Sequence, residues 1–244
     1  MSSDTTINFG GFVPLSTVDW RGRSACVVFF RGCPVRCWYC HNEAILDGED
    51  IRNVSDIMNE ISSASLLVSA VLFSGGEATM QAETLSTLAA YAKGIGLATG
   101  LHTSGVYPNV LEALISKRLI DHIALDMKSE WKLYTECLDL NCAIDVKRSF
   151  TLCKTAHERG ELPEFEVVLT LFRGHEEEVT RIASEVGDVS LVLQQGVKHT
   201  IPPFTTTELM AIADTLCRPV RIRTREDGEI LYEGFRNCRP SGFR

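Results

Sequence analysis

Apolar positions along this chain follow two alternating rhythms. The short continuous apolar run at 25–30 reads as a strand buried on both faces, and further strands are expected at 70–73, 97–103, 122–127, 165–171 and 189–194. Between them lie stretches with apolar residues three and four apart, the spacing of a helix with one buried face. Val54, Ile57, Met58 and Ile61 predict a helix over 53–63 with Asn53 as its cap. Leu85, Leu88, Ala89 and Ala92 predict another over 81–93, stopped by Gly94. Pro108 opens a third, carrying Val110, Leu111, Leu114 and Ile115. Further helices are expected over 145–159, 176–186 and 206–217. Asp227-Gly228, between 220–224 and 229–232, is a two-residue hairpin signal.

Strands that alternate with helices predict parallel β/α units. About six such units suit an α/β fold of the open, partial (β/α)6 TIM-like barrel type better than a closed barrel of eight. A single domain is expected over 1–244, with its core at about 24–200 and a terminal helix and hairpin over 205–244. In parallel α/β folds the chemistry sits at the carboxyl ends of the strands.

Composition narrows the picture only modestly. A chain of 244 residues with 45% hydrophobic content is long enough for one substantial core. A net charge of -8 counts against nucleic acid as a partner, because phosphate binding needs a basic face. No apolar run approaches roughly twenty residues, so no membrane span is expected. Met1–Thr6 is short and polar and lacks the layout of a signal peptide. A reducing, cytoplasmic location is therefore expected. Nine cysteines, an odd number, argue against a disulfide framework.

The candidate chemistry sits just after the first strand. Cys33, Cys37 and Cys40 have C-x3-C-x2-C spacing within Phe30-Arg-Gly-Cys-Pro-Val-Arg-Cys-Trp-Tyr-Cys-His-Asn42. Three thiolates in one loop can hold three irons of a [4Fe-4S] cluster and leave the fourth iron open. A structural zinc site is the alternative; His41 stands too near Cys40 to complete it, and Cys137 with Cys142 would have to contribute. Cys26, Cys153 and Cys217 read as core residues.

The loop, with Tyr39 before its last cysteine, resembles the radical S-adenosylmethionine (SAM) superfamily. Gly10–Trp20, Arg31-Gly32, Cys40-His41-Asn42, Ser74-Gly75-Gly76-Glu77-Ala78 and Leu125-Asp126-Met127-Lys128 are together similar to its glycyl-radical-enzyme activating proteins. Within that group the opening segment and compact length look most like the activating protein of the anaerobic ribonucleoside-triphosphate reductase. The resemblance implies a (β/α)6 fold, a [4Fe-4S] cluster and SAM as cofactors, with SAM chelated to the open iron. It implies reductive cleavage of SAM and abstraction of a glycine Cα hydrogen on a partner glycyl-radical enzyme by the 5′-deoxyadenosyl radical. A low-potential electron donor of flavodoxin or ferredoxin type is implied as a second partner. A pyruvate formate-lyase-type activase, a radical SAM enzyme acting on another peptide or a small molecule, and a non-catalytic iron–sulfur or zinc module remain alternatives.

The other candidates stand at the later strand ends. By resemblance, Tyr39 lies against the adenine, though it also reads as an aromatic wedge under the loop. His41 and Asn42 match the activating branch, with Asn42 near SAM; each also reads as a loop cap. Ser74, Gly75, Gly76 and Glu77 present a backbone open to close approach and a carboxylate suited to an ammonium group. They match the motif that holds the methionyl amino group of SAM, while a plain turn is the alternative reading. The hydroxyls of Thr103 and Ser104 suit ribose or a carboxylate. His102 stands where many relatives carry an aspartate beside a monovalent cation. Lys128 suits the methionyl carboxylate and Asp126 would orient it, unless the two form a rim ion pair. Gln194, which can donate and accept, is a further SAM candidate where relatives tend to place a histidine.

Overall fold

The computed structural model describes residues 5–131, 134 and 142–234. The chain divides into two compact units, Met1–Asp126 with Trp131–Phe165, and Met127–Glu130 with Glu166–Arg244.

In the first unit the strands are β1 (Thr6–Ser16), β2 (Ala25–Phe30), β3 (Ile51–Asn53), β4 (Ala70–Gly75), β5 (Ala98–Thr103) and β6 (His122–Met127). They lie in the order β6-β5-β4-β2-β1-β3. β2, β4, β5 and β6 run parallel, and β1 runs antiparallel to both β2 and β3. The helices are α1 (Val54–Ala64), α2 (Ala82–Gly94), α3 (Pro108–Ser116) and α4 (Ala143–Glu158). Each buries the face that its apolar spacing predicts: Val54, Ile57 and Ile61 on α1, Leu85, Leu88 and Ala92 on α2, Leu111 and Leu114 on α3. Short parallel strands crossed by such helices give the expected α/β fold.

Trp20 anchors one apolar cluster of this unit with Ala25, Val27, Ala70 and Leu72. Its ring stacks on His122 at 4.8 Å, and its Nε1 donates to Glu164 at 2.9 Å. Gly100 makes this packing possible, since a Cβ there would lie 2.8 Å from Leu72 Cδ1 and 3.0 Å from the Trp20 ring.

The second unit holds β7 (Glu164–Leu171) from Glu166 onward, β8 (Ser190–Gln195), β9 (Val220–Thr224) and β10 (Gly228–Tyr232), in the order β10-β9-β8-β7. β7, β8 and β9 are parallel, and β10 returns antiparallel through the Asp227-Gly228 turn. α5 (Glu176–Val186) and α6 (Thr206–Asp214) complete it.

Two strands depart from the expected pattern. β1 carries Gly10, Gly11 and Pro14, which read as breakers. Pairing with β3 covers only Thr6, Ile7 and Asn8, so Pro14 stands where β1 has no second neighbour to receive an N–H. Register shifts at Phe9/Gly11 and Val13/Ser16 absorb the glycines and the proline. β3 is three exposed residues and has no apolar rhythm to announce it. α6 ends three residues earlier than expected, because Pro219 biases Arg218 away from helix. Cys217 therefore lies beyond the helix, exposed, with φ at 52°, and is not a core residue. Cys26 and Cys153 are core as expected, and burial pushes both thiols up to about 12. Cys137 and Cys238 lie outside the described residues.

Candidate functional site

The cysteine loop leaves the end of β2 and is held by its own backbone. Gly32 N–H donates to Ile45 O at 2.8 Å, Cys33 N–H to Leu46 O at 3.2 Å and Cys40 N–H to Cys37 O at 3.1 Å. Arg31 pins the loop from outside through Phe9 O, Ala44 O and Asp47 O. Arg36 donates to Cys33 O and pairs with Asp47 at 2.7 Å. Val35 is buried with Val106, Tyr134, Cys142 and Val146, and Cys33 and Cys37 pack against that cluster.

Cys33, Cys37 and Cys40 are half-buried and unoxidised. Among the described residues no three His, Cys, Asp or Glu side chains converge on one metal position. A [4Fe-4S] cluster takes one thiolate per iron at separate corners. Three cysteine thiols on one loop, those of Cys33 and Cys37 against an apolar wall, fit a [4Fe-4S] cluster.

The glycine motif lies directly against this loop. Gly76 N–H donates to Phe30 O at 2.8 Å, and Glu77 N–H donates to Gly32 O at 2.8 Å. A Cβ on Gly75 would stand 2.4 Å from Phe30 O, and one on Gly76 2.2 Å from Gly32 O. Gly75 also has φ at +119°, a region that favours glycine. At both glycines the missing Cβ leaves room for the backbone of the cysteine loop. Asn42 closes the junction from the far end of the loop, its Nδ2 donating to Gly75 O at 3.0 Å.

Glu77 is 1% exposed. Its Oε1 accepts from Thr79 N–H at 3.2 Å, Thr79 Oγ1 at 2.5 Å and Thr103 Oγ1 at 2.7 Å. Its Oε2 accepts from Ser104 N–H at 2.8 Å and Ser104 Oγ at 2.5 Å. Thr103 Oγ1 also accepts from Gly105 N–H at 3.0 Å, and Ser149 Oγ donates to Gly105 O at 2.5 Å. The hydroxyl protons of Thr103 and Ser104, expected to face a ligand, are thus directed at Glu77.

Tyr39 is buried, with Trp38 edge-on at 5.2 Å, the geometry of a wedge under the loop. His41 is exposed, Ser74 is half-buried, and Asp126 is half-buried near the end of β6. The first unit therefore brings together the cysteines, Tyr39, Asn42, Ser74–Glu77, Thr103 and Ser104. Lys128 and Gln194 belong to the second unit. The Gln194 amide is engaged there, donating to Thr170 Oγ1 at 3.3 Å and accepting from Arg223 at 3.1 Å.

Two contributors were missed. Tyr107 is half-buried, and burial, then the charges of Glu77 and Cys33, raise its phenol pKa. Its one signal was its place on the loop after β5. Thr79 sits in the 3-10 turn Ala78–Gln81, just ahead of the helix expected over 81–93. Cys142, in the apolar wall, has its thiol pKa raised by burial and, to a smaller degree, by Asp145 and Cys37.

A three-cysteine loop stitched to a glycine-rich strand end on a parallel sheet defines a class of protein. The radical SAM superfamily model matches residues 27–186, and the chain belongs to that superfamily. Its enzymes use a [4Fe-4S] cluster and SAM. Over 127 residues the chain is 38% identical to a Methanocaldococcus jannaschii protein named "Putative glycyl-radical enzyme activating enzyme", covering 52% of each chain. Over 127 residues it is 35% identical to the pyruvate formate-lyase 1-activating enzyme of Escherichia coli, covering 48% of this chain and 50% of that one. The match spans about half the length of these relatives. The solved structure of TYW1 with a lysine-pyruvate adduct has the same fold, with a TM-score of 0.61 at 12% identity over 86% of this chain and 80% of that one. No helix among the described residues is long and apolar enough to cross a membrane.

Proposed function

We propose that this protein is a radical SAM activase that generates a glycyl radical on a partner enzyme. The observation that supports this best is the junction of the two motifs. Backbone hydrogen bonds from Gly76 and Glu77 fix the cysteine loop to the end of β4, so a cluster on the loop and a ligand at that strand end would be held in one frame. The names of the M. jannaschii and E. coli relatives point to the activase branch.

In this reading Cys33, Cys37 and Cys40 ligate three irons. Val35, Val106 and Val146 keep water from the thiolates, which protects a low-potential centre. Asn42 fixes the orientation of the Gly75 carbonyl. Ser74–Glu77, with Tyr39, Asp126 and the backbone at Thr103–Ser104, forms the SAM-facing wall within the first unit. When bound, the cluster and SAM supply one-electron reductive chemistry that ends in removal of a hydrogen atom from a glycine Cα. The electron comes from a flavodoxin-like or ferredoxin-like donor. That Cα–H bond is the weak point of the partner, because the glycyl radical is delocalised over its flanking amides.

The segment Gly10–Trp20 favours an anaerobic ribonucleoside-triphosphate reductase as the partner. The E. coli relative favours a pyruvate formate-lyase as the second reading. The test is anaerobic incubation of the reduced, SAM-loaded protein with each enzyme, followed by EPR and assay of 5′-deoxyadenosine. A glycyl doublet on the reductase alone is expected. A doublet on the lyase alone replaces the first reading with the second. 5′-Deoxyadenosine without a doublet on either overturns the activase proposal.

A further inference from the structure

We infer that Glu77 is a positioning residue, a clasp between the cysteine loop and the end of β5, and that its carboxylate makes no contact with the amino group of SAM. The inference rests on the SAM-site reading above and deepens it.

A carboxylate offers about four lone-pair positions on its two oxygens. The backbone N–H and hydroxyl of Thr79, the hydroxyl of Thr103, and the backbone N–H and hydroxyl of Ser104 all point at Glu77. A sixth donor would have to displace one of them. Displacement would strand a buried hydroxyl or amide, since Thr79 and Thr103 are almost fully covered, and a buried donor without an acceptor is costly. An ammonium group placed here would break the site that received it.

The same side chain has a mechanical place. The Glu77 amide is bonded to Gly32, one residue before the first cysteine. Its carboxylate is bonded to the last residue of β5 and to the residue after it. Gly105 extends the chain of contacts to Ser149 on α4. Glu77 thus ties the position of Cys33 to that of β5 and α4. Hydrogen bonds to an ionised acceptor are roughly twice as strong as neutral ones, so a carboxylate is better suited to this work than an amide.

The test compares wild type with Glu77→Gln, Ser104→Ala and Ser104→Thr. As apoproteins, Glu77→Gln and Ser104→Ala should melt at lower temperature and exchange the amides of 74–77 and 103–105 faster, and Ser104→Thr, which keeps the hydroxyl, should restore both. With the cluster reconstituted, and at a temperature where circular dichroism shows every variant folded, Glu77→Gln should alter the EPR spectrum of the reduced cluster before any SAM is added. Its affinity for SAM and for the SAM analogue lacking the methionyl amino group should fall by the same factor, about tenfold or more, as expected for loss of hydrogen bonds to a charged group. If Glu77→Gln weakens SAM but spares the analogue, the carboxylate holds the ammonium and the inference is overturned. Wild-type exchange and melting in the apo variants would overturn it equally. Failure of wild type to bind SAM would defeat the functional proposal alone, because the apoprotein measurements still decide the clasp.

Discussion

Two buried carboxylates, one in each unit, are satisfied in opposite ways. Glu77 in the first unit is surrounded by neutral donors, two backbone N–H groups and three hydroxyls. Glu166 in the second is 4% exposed and meets cations. It pairs with Arg221 and, at 3.4 Å, with Arg223. Glu229 pairs with the same two arginines at 3.0 Å and 2.7 Å. Burial works against the charge of Arg221, yet the Glu166 and Glu229 carboxylates outweigh it and raise its pKa. Neutral groups of a turn and of the end of β5 surround the Glu77 carboxylate, while Glu166 and Glu229 share the two arginines of β9.

The sharpest way to break the contrast lies at Gly76. Gly76→Ala places a Cβ 2.2 Å from Gly32 O, a backbone clash that only parting β4 from the cysteine loop relieves. The expected result is a folded protein whose iron content and charge-transfer absorbance fall to background. Replacing Cys33, Cys37 or Cys40 with Ala should match it, and SAM cleavage by any of these variants would contradict the ligand assignment.

The ion-pair square gives the next effect. Glu166→Ala leaves more positive than negative charge in a buried site, and breaking a buried pair costs about 3–5 kcal/mol. Urea denaturation should show that loss. Glu166→Leu combined with Arg221→Met removes one charge of each sign and leaves Arg223 with Glu229, so most of the stability should return. If the double variant is no better than the single, charge balance is not what holds this region.

A smaller effect is expected at the apolar floor of the first unit. Gly100→Ala forces Leu72 or Trp20 to shift, and overpacking of this kind costs about 1–3 kcal/mol. Thermal unfolding should register it, while hydrogen exchange at 103–105 should not, because the Glu77 clasp is untouched.

The smallest concerns an exposed carboxylate. Glu208 completes a capping box with Thr205 at the start of α6. The Arg173 guanidinium, then the Thr205 amide and hydroxyl, hold its pKa down at about 2, below the usual 4.5. Its contribution is therefore present above about 4.5 and is lost as pH falls toward about 2. Amide exchange in the first turn of α6 should stay slow on acidification to pH 4 or so and rise below that, and Glu208→Gln should remove the dependence.

Much of this could be read from the chain. The strand readings located β2, β4, β5, β6, β7 and β8, and β2 was the plainest because its six residues are apolar throughout. The cysteine spacing marked the loop after β2 as the candidate cluster site, because ligands to a small inorganic core must be close in sequence to share a loop. β1 and β3 were illegible, since one carries breakers at its unpaired edge and the other is three exposed residues. Glu77 was legible as a residue that matters, but the groups that donate to it were not. Its partners Thr103 and Ser104 lie on another strand, and each of the three polar groups in isolation asks for a ligand.

The sequence by itself determined which thiols, glycines and strand ends this protein possesses, because periodicity and spacing are local properties of the chain. Tertiary structure alone decided which polar groups satisfy one another. Donor and acceptor are matched by proximity across strands, at distances of about 3 Å that no one-dimensional pattern encodes.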